Sequence, residues 1–539
     1  MISRADSTAR SALRERCEAI LREEEILREG GGKIGQDRQR KMGRLPARER
    51  IQHLLDRGSD FFELGLWAAY KMYEQWGSVP AAGAVVGIGQ VAGIPCMIIA
   101  NDATVKAGAF FPQTAKKLIR AQRIAFECAL PIIYLVDSSG VFLPMQDEIF
   151  PDEDDFGRIF RNNAVLSAMG VPQYAAVMGN CVAGGAYLPV LCDKLLMTTG
   201  SALYLAGPAL VKAAIGEADD DESLGGAAMH AEVSGTIDFH EPDDEACLRR
   251  LRSLVALLPD VPGAQPQAAA PARDPGDLYA LVGPDGRQGY DARDLLACVV
   301  DADSVQEYKA DYGKSLVCAY ARLGGRPVGV VASQRVATKS AAEGMQIGGV
   351  IYHDSADKAA RFVMDCSQGG LPLVFFQDVR GFMVGRNAER HGTIRSGAKL
   401  VNAVSNATVP KVTVVVGGSF GAGNYALCGK AFDPAFIFAW PGARYAVMGG
   451  EQAADTLLSL EKRRAGRNGR ALAADELKEL AETVKANYDA QTDIRYGAAR
   501  GWVDAIIAPH TTRDVLVEAL TLATRSPPAG GFRAGVLQV

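Results

Sequence analysis

The chain of 539 residues has no uninterrupted apolar run of the ~20 residues that a membrane-spanning helix needs. Its longest candidate, VPQYAAVMGNCVAGGAYLPVL, is broken by glycine and proline. The first 30 residues interleave Arg and Glu and lack the apolar core of a secretion signal. A cytoplasmic protein is therefore expected, or one of the mitochondrial matrix if the source is eukaryotic. The ten cysteines form no CxxC pair and the six histidines no HExxH, which excludes a zinc ribbon, a zincin helix and a dense disulfide framework. No metal site is expected. A net charge of −5 offers no global attraction to nucleic acid or anionic lipid. No Ser or Cys has an evident His and acid partner in the sequence.

What is there is an internal repeat. LPIIYLVDSSGVFL (130–143) followed by GVPQYAAVMGNCVAGGAYLPV matches LPLVFFQDVRGFMV (371–384) followed by TVPKVTVVVGGSFGAGNYALC. The offset is 241 residues from Leu130 to Leu371 and 238 from Val171 to Val409, and Lys117 and Arg120 align with Lys358 and Arg361. A length of 539 residues suits two domains. The expected division is an N-terminal helix over 1–30, stopped by Gly30, Gly31 and Gly32, a first domain over 31–265, a Pro/Ala/Gly-rich linker at 257–277, and a second domain over 275–539. The acidic ADDDE at 218–222 is expected to be a solvated loop.

Each copy alternates β-rich runs (IIYLVD and YAAVMG; LVFFQD and VTVVVG) with helical stretches, which predicts α/β domains with a mainly parallel, buried sheet. Ligands of such sheets lie beyond the carboxyl ends of the strands, where the glycine turns fall. Three readings of those turns stand side by side. A phosphate cradle wants a Walker lysine or GxGxxG, but Gly184 and Gly185 run into AYLPVLCD and Gly421 to Gly423 into NYALCG. Close helix-on-strand packing needs glycine alone. An oxyanion hole uses backbone N–H groups. Two holes without a side-chain nucleophile would suit enolate formation on a thioester opposite a second polarised carbonyl. Ser201 and Ser419 are expected to be turn or cap residues, and Arg380, two residues from Asp378, a structural ion-pair partner.

GGGKIGQDRQRKMGRLPARERI, CMIIANDATVKAGAFFPQTAKKLIRAQRIA, LVDSSGVFLPMQDEIFPD, GNCVAGGAYLPV, GFMVG, GGSFGAGNYALCGKAFDP and YAVMGGEQAA occur in this order from about residue 30 onward. Together they resemble the carboxyltransferase (β) subunit of biotin-dependent acyl-CoA carboxylases. The resemblance implies two homologous crotonase-like domains of the ClpP/crotonase superfamily, each a βαβ superhelix, with the site between the N domain of one subunit and the C domain of another. It implies that Ala183, Gly184 and Gly185 receive the acyl-CoA thioester oxygen. Gly421, Ala422 and Gly423 would receive the ureido oxygen of biotin, with Phe420, Asn424 and Tyr425 beside it. CO2 from carboxybiotin, carried on another polypeptide, would then be attacked by the acyl-CoA enolate, with biotin as the base.

Lys106, Lys116, Lys117, Arg120 and Lys212 are the candidate cations for the CoA phosphates, against the alternative of a solvated helix face. The chain shows no AMKM biotinylation site and no ATP-binding domain, so the resemblance implies a biotin-carboxylase/biotin-carrier α subunit as partner. It also implies a homo-oligomer of β subunits, as a trimer of dimers in an α6β6-type complex.

GAGNYALCG and DATVKAGAFFP resemble the 3-methylcrotonyl-CoA and geranyl-CoA branch. Residues 333–353, SQRVATKSAAEGMQIGGVIYH, and Met145 in LPMQDEIFPD depart from it. A propionyl- or acetyl-CoA enzyme, a glutaconyl-CoA decarboxylase-type carboxyltransferase and a catalytically silent structural subunit remain the alternatives.

Overall fold

In a computed structural model of the chain, the described residues are 20–258, 268–282, 288–341, 344–448 and 502–524, with short stretches and single positions between 459 and 498 and beyond 524. They fall into two compact units, Met1–Ala256 and Leu257–Val539.

The first unit carries β1 (Phe62–Leu64), β2 (Ala84–Val91), β3 (Ile94–Asn101), β4 (Ile132–Ser138), β5 (Gln173–Val182), β6 (Lys194–Thr198), β7 (Ala202–Tyr204) and β8 (Phe239–Glu241). They form one sheet in the order β1-β2-β3-β4-β5-β6-β8, with β7 beside β5. β1, β2 and β3 are antiparallel neighbours, and pairing is parallel from β3 across to β8. Every residue of β4 is buried, as a strand covered on both faces requires. Helices α1 (Pro112–Glu127), α2 (Phe156–Ala168) and α3 (Asp244–Val255) supply the crossovers and cover. Leu118 and Ala121 of α1 and Ile159 and Leu166 of α2 meet Ile132, Tyr134, Ala175 and Val177 of the sheet in one core.

The second unit repeats this plan. It contains β9 (Gln306–Tyr308), β10 (Leu316–Leu323), β11 (Arg326–Ser333), β12 (Thr338–Ser340), β13 (Gly344–Gln346), β14 (Val350–Ile351), β15 (Leu373–Val379), β16 (Gly381–Phe382), β17 (Lys411–Phe420), β18 (Phe436–Ala439), β19 (Arg444–Ala446) and β20 (Ala505–Ile506). The main sheet runs β20-β18-β17-β15-β11-β10-β9 with β19 beside β17, while β12–β13 and β14–β16 form two small ladders. Helices α4 (His353–Gln368), α5 (Thr393–Asn406) and α6 (Thr512–Ala523) follow the same covering logic, and Leu296, Val330, Val374, Val414 and Leu516 share its core.

The duplication extends to single hydrogen bonds. Thr114 Oγ1 accepts the Phe111 N–H at the start of α1, and Ser355 Oγ accepts the Tyr352 N–H at the start of α4, both at 3.0 Å.

Two expectations need adjustment. Residues 20–28 are helical, while 1–19 of the expected N-terminal helix lie outside the described residues, as do 259–267 of the linker. From Ala268 that linker is built into the second unit, where Arg513 donates to Ala269 O and Ala302 N–H to Ala270 O. The acidic loop is half helix: Asp220 accepts the Ser223 N–H at 2.7 Å and caps a short helix, Asp221–Gly225, as an Asp N-cap does.

Candidate active site

The two glycine turns occupy equivalent places, each at the carboxyl end of the long central strand of its sheet. β5 runs into a short helical turn, Ala183–Ala186, and then Tyr187–Val190; β17 runs into Ala422–Ala426. The residue leaving each strand is left-handed, with φ +57° at Ala183 and +54° at Gly421. For an alanine this is an uncommon and strained conformation, of a kind found at functional sites. Ala183 and Ala422 are exposed, Gly185 and Gly423 are buried, and Tyr187 and Tyr425 are half exposed at 50% and 49%. Leading N–H groups of a helical turn have no acceptor within it. In the second unit the Gly421 N–H is already given to Ala446 O at 3.0 Å. The N–H of Gly421, expected to face a ligand, is thus used within the turn, and the leading N–H groups of the following helix are those of Ala422 and Gly423.

Glycine is required at some of these places for packing. A Cβ on Gly423 would lie 2.6 Å from the Val379 side chain, whereas one on Gly184 would meet only Phe156, at 3.3 Å.

What leads the chain into each turn is a bulge around a buried carboxylate. In the β4–β5 ladder, pairing passes from Val136 with Val177 to Ser138 with Cys181, so Met178, Gly179 and Asn180 stand opposite the single Asp137. The β15–β17 ladder does the same, with Val416, Gly417 and Gly418 opposite Asp378. Gly179 and Gly417 make room: a Cβ there would sit 2.1 Å and 2.5 Å from the carboxyl carbons of Asp137 and Asp378. Asn180 N–H donates to Asp137 Oδ1 at 3.3 Å, and Gly418 N–H to Asp378 Oδ1 at 2.8 Å.

The counter-ions differ between units. Arg50, 1% exposed, reaches Asp137 Oδ2 through Nη1 (3.3 Å), Asp244 Oδ2 through Nε (2.8 Å) and Met178 O through Nη2 (2.8 Å). Asp378 faces Arg335 Nε at 3.0 Å and accepts from the Tyr290 hydroxyl at 3.3 Å. Burial lifts both carboxyls above their ordinary range, and Arg50 and Arg335 oppose the shift. Arg335 therefore takes the place expected of Arg380, which is exposed.

The turns are held differently from below. In the first unit Cys181 Sγ lies 3.4 Å from Gly185 O, and burial pushes its thiol pKa up. In the second, Asn424 Nδ2 donates to Ser419 Oγ (2.8 Å), Ser419 Oγ to Gln377 Oε1 (2.7 Å), and Gln377 Nε2 to Leu427 O (2.6 Å). Ser419 is thus a strand residue in an internal chain of hydrogen bonds, while Ser201 caps its own turn through Thr198 O. The Asn424 amide is turned inward, away from the ligand role expected of it. Phe420 ends β17 with its ring beside Gly418.

Of the five candidate cations, Lys106, Lys116, Arg120 and Lys212 are exposed. Lys117 is not: at 8% exposure its Nζ donates to Ala81 O (3.0 Å) and Ala84 O (2.7 Å), and burial lowers its pKa to about 7. It fastens α1 to the strand-side backbone and, unlike the other four, offers no charge to solvent. Its repeat partner Lys358 does the same with Tyr312 O and Leu316 O, both at 3.0 Å. The one-residue step from Lys116 to Lys117 turns a side chain from the exposed to the buried face of α1, which composition does not report.

A carboxyl transferase domain matches residues 38–529. The chain belongs to this family. Among its relatives, the biotin-dependent 3-methylcrotonyl-coenzyme A carboxylase β1 subunit of Mycobacterium tuberculosis is 44% identical over 92% of both chains. The probable mitochondrial methylcrotonoyl-CoA carboxylase β chain of Drosophila melanogaster is 42% identical over 92% of this chain and 86% of its own. A crystal structure of transcarboxylase 12S, described as a hexamer with methylmalonyl-coenzyme A and methylmalonic acid bound, superposes with a TM-score of 0.87 at 33% identity, covering 97% of this chain and 98% of that one.

This carboxyltransferase is thus an enzyme of the two-domain, crotonase-like α/β architecture, and its repeat is the duplicated domain of that fold. Among the described residues of the carboxyltransferase no helix is long and apolar enough to cross a membrane. The residues that sequence reasoning missed are Arg50, Asp244, Arg335 and Tyr290. Asp137 and Asp378 align in the repeat and carried a signal; their arginines, at unrelated positions, did not.

Proposed function

We propose that the chain is the carboxyltransferase subunit of a biotin-dependent acyl-CoA carboxylase that takes 3-methylcrotonyl-CoA or a closely related branched enoyl-CoA. The observation that carries this is the pair of equivalent exposed turns, each entered through a left-handed residue. The names of the relatives at 44% and 42% identity support the choice of acyl group.

In this reading the first unit binds the acyl-CoA: Gly184 and Gly185 N–H groups hold the thioester oxygen and stabilise the enolate, with Ala183 setting their direction. Removing one such donor costs roughly 10²- to 10³-fold in rate. Lys106, Lys116, Arg120 and Lys212 supply exposed positive charge for the CoA phosphates. The second unit suits biotin, whose ring is apolar apart from its ureido group: half-exposed Tyr425 lies in the turn itself, and exposed Val447, at 75%, has its carbonyl beside Gly421. Bound there, biotin would supply the carboxyl group and the base. Ala422 and Gly423 would orient it by its ureido oxygen.

The partner is then an α subunit that carries and carboxylates biotin. A hexamer of β subunits is supported by the hexameric transcarboxylase 12S. The test is to purify the chain with its α partner, supply ATP and bicarbonate, and offer acyl-CoAs from acetyl to geranyl. The expected result is an ATP-dependent gain of one carboxyl on 3-methylcrotonyl-CoA in preference to acetyl- and propionyl-CoA. A complex whose biotin is loaded but which carboxylates no acyl-CoA overturns the reading.

A further inference from the structure

The same device precedes both turns although the groups that neutralise it differ. Asp137 and Asp378 each face three residues of the neighbouring strand, each fills the space left by a glycine, and each accepts the N–H of the residue three positions before the turn, Asn180 before Ala183 and Gly418 before Gly421. Both side chains are at most 5% exposed. A structural ion pair needs only a nearby cation, and here the cations come from unrelated places: Arg50 from the helix Ala47–Leu54, Arg335 from the segment after β11. What the two units hold in common is the carboxylate, the glycine and the N–H it receives.

We infer that Asp137 and Asp378 are positioning residues for the carboxyl-transfer reaction. Each pins the bulge of its central strand so that the following turn presents its N–H groups in one fixed direction. Both carboxylates are buried beneath their turns, so each would act through the backbone and not by contact with a ligand. The bulge is the pinned feature because the extra residues of β5 and β17 have no partners on the β4 and β15 side, while Asn180 pairs with Ala202 of β7 and Gly418 with Arg444 of β19 on the other; the carboxylate supplies the acceptor missing on the first side, and without it the bulge would be held from one side alone. The inference rests on the reading of the turns as the two oxyanion sites.

The test uses the complex with the α partner. Asp137→Asn and Asp378→Asn keep shape and a carbonyl acceptor but lose the charge. Asp378→Leu with Arg335→Met removes acceptor and counter-ion together, the kind of exchange that can leave a buried pair's contribution to stability nearly unchanged. Tm, kcat and KM for acyl-CoA and for the biotin carrier are measured for each. The expectation is a kcat lowered at least tenfold with both KM values within twofold of wild type, and in the paired variant a Tm near wild type with kcat still depressed.

Recovery of kcat together with Tm in the paired variant would show a structural role only and overturn the inference. So would wild-type kcat in both Asn variants while Gly184→Val abolishes transfer, a result that leaves the reading of the turns standing. If Gly184→Val transfers normally, the reading itself falls and the inference with it.

Discussion

Replacing Lys117 by methionine separates a buried tie from a phosphate-binding cation. In the folded chain the Lys117 pKa lies at about 7, pushed down by burial from the ordinary 10.5 that applies when the chain is unfolded. Between these values the native side chain is neutral and the unfolded one protonated, so the unfolded state binds the extra proton and stability rises with pH. The contribution is complete above pH 10.5, is lost as pH falls, and is gone by about pH 7. One proton corresponds to about 1.4 kcal/mol per pH unit, so the window caps the effect at about 5 kcal/mol.

Lys117→Met removes this titration. Urea unfolding of wild type and variant at pH 7, 8 and 9 should show the wild type gaining on the variant by about 1 kcal/mol from pH 7 to 8, where the native side chain is still partly protonated, and by about 1.3 kcal/mol from pH 8 to 9. In the assembled enzyme at pH 8, KM for acyl-CoA should stay within twofold, since Nζ faces Ala81 O and Ala84 O and not solvent. A stability gap that is flat from pH 7 to 9, or a tenfold rise in KM with unchanged stability, would refute the burial argument and return Lys117 to the phosphate-binding set.

Two further outcomes follow from the site. Gly184→Val should abolish carboxyl transfer while leaving the oligomer intact by size-exclusion chromatography, because its first carbon meets only the Phe156 ring; Gly423→Val, driven into Val379, should lower Tm as well. Arg50→Met removes the buried cation shared by Asp137 and Asp244 and the donor to Met178 O, leaving Asp137 with the Asn180 N–H and Arg44 at 3.9 Å and Asp244 with the Leu45 N–H, and should cost about 3–5 kcal/mol in chemical denaturation.

The repeat made most of the fold legible. Once LPIIYLVD and LPLVFFQD were aligned, buried parallel strands, crossover helices and turns at strand ends followed from apolar runs and glycines. Burial of single polar side chains was not legible in the same way. Lys117 and Lys116 are adjacent in a run of cations, and only the phase of α1 against the sheet decides which one faces inward. Asn424 looked like a ligand residue because it stands in the turn. Its amide is consumed by Ser419 because Gln377, 47 positions away, offers an acceptor beneath, and no local pattern announces that tie.

On the proposed reading, the two turns explain how a duplicated domain keeps a backbone function while its side chains drift. An N–H group's direction depends on the path of the strand, and that path is set in both units by the same carboxylate over the same glycine. Everything that merely supports this arrangement is free to change. Val136 in one copy stands where Gln377 does in the other, Cys181 where Ser419 does, and the arginines come from different elements. A chemistry that relied on a side-chain nucleophile would have left one unit with a residue the other lacked. On the proposed reading, two backbone sites can instead diverge in which molecule they bind, the first through the exposed cations of α1 and its neighbouring loops, the second through Tyr425 and Val447, without altering how each would hold an oxygen.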